Sequence, residues 1–148
     1  MGIPVWALFA LSASCFWGLA YTMIGRLIPT GISASFILGF VGIITLPTYM
    51  FNLVRSGTFK SSIEILTGNK LLLLFLVIQA FSLLIGQYLI YHAVALKNAT
   101  SAAVVEITYP LFTCLLTWLL FRDLQVTWPI AIGGLLIFCG SALIVLKS

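Results

Sequence analysis

The sequence predicts an all-α membrane protein, a bundle of five transmembrane helices. Three observations predict it. Of 148 residues, 62% are hydrophobic and only 7% are charged, against about 25% charged in a soluble domain. The apolar residues fall into five runs of at least 20 residues each, and about 20 helical residues cross a ~30 Å hydrocarbon core. The runs are continuously apolar without a period of two, so spanning helices are predicted rather than barrel strands.

The first span is expected at Pro4–Gly25. Its start, "MGIPVW", has no Lys or Arg, so a cleaved signal peptide is not expected. "SASC", ending at Cys15, resembles a lipoprotein cleavage site only weakly. "MGIPVW" also lacks the Ser or Thr of an N-myristoylation signal. Ser14, Gly18 and Gly25 share one face with Trp17 and Tyr21. "RLIPTG" closes the first hairpin with Pro29 and Gly31.

The second span is expected at Ile32–Val54, where Ser35, Gly39 and Gly42 align and Pro47 introduces a kink. The connection from Arg55 to Asn69 is long. Its "FKSSIEIL" suits a short interfacial turn, with Ile63, Ile65 and Leu66 at the headgroup boundary and Lys60 and Glu64 in water. The third span, Leu71–Leu96, aligns Gln79, Ser82 and Gly86, with Gln87 and Tyr91 at the edge. His92 comes late and reads as an interfacial hydrogen-bonding group. "KNA" leads to the fourth span, and Asn98 is expected to cap it rather than serve as the glycosylation sequon that "NAT" spells.

The fourth span, Thr100–Phe121, is the informative one. From Ala99 to Phe121, Glu106 is the only charged side chain. An acid at a membrane centre costs about 2.5–3.5 kcal/mol on insertion scales. At ~100° per residue Glu106 shares a face with Ala99, Ala102, Ala103, Tyr109, Thr113 and Thr117. Val105, Phe112, Leu116 and Leu119 occupy the opposite face. Pro110 lies four residues after Glu106 and cannot donate to its carbonyl, so a kink with a freed carbonyl is expected in the same turn. Low-dielectric surroundings favour a neutral carboxyl, and a group poised between neutral and charged can take up and release a proton or cation. A neutral Glu that locks helices together is the structural alternative. The fifth span, Thr127–Leu146, follows "RDLQV", with Thr127 as N-cap and Pro129 in the first turn.

Several function classes drop out. The net charge of +4 is scattered over the loops, so no nucleic-acid surface is expected. The three cysteines, Cys15, Cys114 and Cys139, stand apart within spans and read as buried thiols. No metal site and no cofactor is expected. No nucleophilic triad, carboxylate pair or phosphate loop can be assembled, so no enzyme is expected. With the N-terminus inside, Arg55, Lys60, Lys70 and Arg122 lie on the cytoplasmic side and Arg26, Lys97 and Lys147 outside. Such a small bias permits insertion both ways.

Motifs along the chain carry a resemblance. "FWG" at 16–18, "YHAVALKNATSAA" at 91–103, "YPLF" at 109–112 and "GGLLIFCG" at 133–140 are similar, in order and spacing, to the EamA-like domain of the drug/metabolite transporter superfamily. Pro110 stands at the family's fourth-helix proline. Where the family often has Gly-Glu before its last helix, this chain reads "FRD", with Asp123. The family pattern prescribes no acid at position 106, so Glu106 rests on the physical argument alone. The resemblance implies one inverted-repeat unit, in which a single domain covers 1–148. Most relatives fuse two such units in opposite orientations. The expectation is therefore a half-transporter that pairs with itself as an antiparallel homodimer, or with a related partner subunit.

The leading expectation is a transporter that moves a small molecule by alternating access. Glu106, Tyr109, Thr113, Gln79, Tyr21 and Trp17 form the candidate site, with Pro110 as the kink. Trp17, Tyr21, Tyr91 and Tyr109 suit an amphipathic cation. The competing expectation is a non-transporting subunit that stabilises or regulates a partner membrane protein. A channel is a third, since it needs a ring of pore-lining groups. Short loops and few basic residues point to a multi-pass protein of a prokaryotic inner membrane.

Overall fold

The structure is a computed structural model that describes residues 4–123 and 126–147. Helices account for nearly all of them, and no strand occurs among the described residues. They are α1 (Val5–Leu27), α2 (Ala34–Ser56), α3 (Phe59–Gly68), α4 (Lys70–Leu96), α5 (Ala99–Glu106), α6 (Tyr109–Phe121) and α7 (Trp128–Lys147). Among the described residues, five stretches are long and apolar enough to cross a membrane: Val5–Thr30, Ala34–Ser56, Lys70–Leu96, Ala99–Phe121 and Trp128–Lys147. The fourth crossing is therefore built from two helices, α5 and α6.

Local chemistry explains where the helices stop. A single 3-10 turn, Ile28–Thr30, carries Pro29 near its start and ends at Gly31 with φ +91°, a left-handed conformation that suits glycine. Ser33 caps α2 by accepting the Phe36 N–H at 3.2 Å. α2 runs through Pro47 and ends at Gly57, φ +66°. Asn69 closes α3 with its own N–H on the Leu66 carbonyl and starts α4 by accepting the Leu71 N–H at 3.0 Å. Asn98 caps α5 by accepting the Ser101 N–H at 2.8 Å. At the end of α6, Arg122 adopts φ 56°. Its N–H donates to the Trp118 carbonyl at 2.9 Å, and its guanidinium lies 5.4 Å from the Trp118 ring centroid, within cation–π range. Leu124 and Gln125, in the "RDLQV" link, lie outside the described residues.

The chain divides into two compact units. Residues 27–92 form one and residues 1–26 with 93–148 the other. In the first, α3 packs on α2, and Ile37 and Tyr91 are its buried apolar residues. In the second, α5 packs on α7, and Tyr21, Ile24, Val94, Ala102 and Ser141 are buried. Large apolar side chains are otherwise mostly exposed, Leu and Phe foremost, which is the inverse of a soluble surface and fits a lipid solvent. Hydroxyls within the crossings turn back on their own helices. Ser14 donates to Ala10 O at 3.0 Å, Thr22 to Gly18 O at 2.9 Å and Thr48 to Ile44 O at 2.7 Å. Lipid offers these groups no other partner.

Candidate functional site

The site grows from a close approach of α1 and α5. A Cβ built on Gly25 would stand 2.9 Å from the Ala99 Cβ. Glycine facing alanine lets the two backbones come together, the device that packs helices in lipid. Ile24 and Ala102 are buried in this contact region. One turn before Gly25 on α1, Tyr21 is buried. Seven residues past Ala99, Glu106 is half-buried. The Tyr21 hydroxyl donates a hydrogen bond to the Glu106 carboxyl. A phenol and an acid thus meet inside the bundle, on two different crossings.

Immediately after Glu106 the crossing breaks. Pro110 sits in the first turn of α6 and has no N–H, so the Glu106 carbonyl loses its helical donor. The neighbouring bonds tighten to a 3-10 pattern. Thr108 N–H donates to Val105 O at 3.2 Å and Leu111 N–H to Thr108 O at 3.0 Å. Those N–H groups would otherwise serve the carbonyls of Val104 and Ile107. The Val104 carbonyl is recovered across the bundle, where buried Ser141 on α7 donates to it at 3.0 Å. The Glu106 and Ile107 carbonyls are left without a helical N–H. The carboxyl and these carbonyls therefore cluster along one broken turn, inside a membrane crossing.

Between the broken turn and α7 runs a groove of about 410 Å³. Val105, Thr108, Leu111, Phe112, Phe138 and Val145 line it. Its hydroxyls are engaged, since Thr108 donates to Val105 O at 2.8 Å and Ser141 to Val104 O. The groove is accordingly apolar. A Cβ on Gly134 of α7 would meet Leu111 Cδ2 at 2.7 Å, so glycine brings α7 close to α6 as well.

The other candidate residues are distributed as follows. Trp17 lies one turn before Tyr21 and is 52% exposed. A continuous fourth helix would stack Tyr109 and Thr113 above Glu106. The break instead puts them on α6, where Tyr109 is 63% exposed and exposed Thr113 donates to the Tyr109 carbonyl at 3.1 Å. Gln79 is exposed on α4 and Tyr91 is buried on it, both in the 27–92 unit. His92 Nδ1 lies 3.1 Å from the Tyr88 carbonyl, with its ring 4.3 Å from the Tyr88 ring. No group of three metal-ligating side chains occurs among the described residues. Ser141 is the neighbour of the broken turn that sequence reasoning missed. Nothing in the sequence marks it, because its partner carbonyl is freed only once the helix has broken.

Five apolar crossings, one of them interrupted beside an acid, define a multi-pass integral membrane protein. Residues 4–146 match the EamA-like transporter family. The chain belongs to that family, and transport across a membrane is the function its membership suggests. No curated protein and no solved structure matches it.

Proposed function

We propose that this chain moves a small molecule by alternating access, with Glu106 as the group that binds a proton or a cation. The observation that carries the reading is the Tyr21–Glu106 hydrogen bond, made at the end of a half-helix. It gives the carboxyl a partner in one arrangement of α1 and α5. Parting the two frees the carboxyl to bind, and rejoining them returns it. The broken turn supplies the flexibility, because fewer helical bonds hold α5 to α6. An exposed Trp17 and Tyr109 flank this pair in sequence on α1 and α6, as a second five-helix unit facing them would require. In this reading the second unit is an antiparallel copy of the chain. The seven basic residues are shared nearly evenly between the two loop faces, which supports insertion in both orientations.

Glu106→Gln tests the proposal. The amide keeps the size and still accepts the Tyr21 hydroxyl, but it cannot exchange a proton. Purified protein in vesicles is given an imposed pH gradient and tetraphenylphosphonium as probe cation. The wild type accumulates the probe and Glu106→Gln does not. Equal accumulation by the two overturns the role of Glu106.

A further inference from the structure

The α2–α4 connection holds a second surface, separate from Glu106. Its core is α3, ten residues from Phe59 to Gly68, about 15 Å of helix. Two residues, Gly57 and Thr58, join it to α2, and Asn69 alone joins it to α4. Both neighbours cross the membrane. A residue of chain reaches at most ~3.6 Å, so α3 cannot leave the bilayer boundary. At ~100° per residue its faces differ. Phe59, Ile63 and Leu66 fall within one narrow apolar arc. Ser61, Glu64 and Gly68 fall on the far side, with Lys60 at its edge. Ile65 falls on the far side as well, as far from the arc as Glu64, so Phe59 takes the place expected for it at the headgroup boundary.

This arc is mostly open, with only Leu66 half-buried. Phe59 remains 53% exposed and Ile63 45% exposed. The charges beside them are mostly basic. Arg55 lies in the last turn of α2, Lys60 in the first turn of α3 and Lys70 at the start of α4, against Glu64 alone. Lys60 stands 4.0 Å from Glu64, with the two side chains 89% and 67% exposed. A pair so exposed is weak and leaves the ammonium open to another anion.

We infer that α3 is an in-plane helix that binds the anionic headgroups of the bilayer it borders. Phe59, Ile63 and Leu66 enter the acyl boundary, and Arg55, Lys60 and Lys70 meet lipid phosphates. The occupant is lipid, because the tethers place the arc at the depth where headgroups already lie. The basic residues select anionic lipid, since each basic side chain near such a surface shifts binding about fivefold. The surface is independent of the Glu106 reading and stands whether or not that reading holds.

The test uses the full chain with Cys15→Ala, Cys114→Ala and Cys139→Ala. Ile63→Cys or Ser61→Cys then carries a fluorophore on the inner or outer face of α3. Vesicles are phosphatidylcholine alone or phosphatidylcholine mixed with phosphatidylglycerol. In the mixture the label at 63 is quenched by a nitroxide on the lipid chains and shielded from iodide, and the label at 61 shows the reverse. The tethers keep 63 shielded in phosphatidylcholine alone, so the anionic preference is read in the mixture with the nitroxide placed on one lipid or the other. Labelled phosphatidylglycerol quenches 63 about fivefold or more better than labelled phosphatidylcholine, and the excess is lost when Arg55→Gln, Lys60→Gln and Lys70→Gln are combined. Equal iodide quenching at 61 and 63 overturns the in-plane helix. Equal quenching at 63 by the two labelled lipids overturns the anionic selectivity.

Discussion

Three glycines show how much a single position can decide. Gly25 faces the Ala99 Cβ at 2.9 Å, Gly134 faces the end of a Leu111 side chain at 2.7 Å, and Gly18 has nothing within 4 Å. Gly25→Ala must push two packed backbones apart and should cost about 1–3 kcal/mol. Gly134→Ala asks only for a new Leu111 rotamer and should cost less, and Gly18→Ala, with open space in mid-helix, should stabilise by up to about 1 kcal/mol. Thermal unfolding in one detergent ranks them, and equal midpoints would contradict the close α1–α5 contact. Tyr21→Phe keeps the ring and removes the donor to Glu106. It should cost about 1 kcal/mol in the same assay, and no cost would mean that the bond contributes nothing. Glu106 was legible at this scale because a lone charge in an apolar run is conspicuous. Tyr21 was legible from its helix face. That the two are partners was not, because sequence does not fix which faces meet.

At the scale of elements, the spans were legible in outline from length and hydropathy, and two of their ends from Gly31 and Asn98, whereas Ser33 and Gly57 show as the ends of α2 only in the structure. Two elements show what the pattern could not carry. The fourth crossing reads as one apolar run because hydrophobicity does not register a backbone break. Pro110 signals a lost hydrogen bond at Glu106, but not the tightening that frees Val104 for Ser141. "FKSSIEIL" suggests only a turn, whereas Asn69 ends one helix and starts the next, so a full ten-residue helix fits between two crossings. The break makes its own prediction. Pro110→Ala restores an N–H for the Glu106 carbonyl and favours fusion of α5 with α6. It should raise stability by about 1–3 kcal/mol while slowing uptake. A stabilised variant with undiminished uptake would mean that the break is structural only.

At the scale of the whole chain, residues 4–146 match one EamA-like unit. Transporters built from inverted repeats place their site between two units of opposite orientation. The central claim is that this unit supplies both halves by inserting both ways. An odd number of crossings leaves the two ends on opposite faces, so orientation is read from one end. The direct measurement fuses two reporters in turn to the C-terminus, one active only in the cytoplasm and one only outside it. The account predicts signal from both. Signal from one side alone would contradict self-pairing and require an oppositely oriented partner.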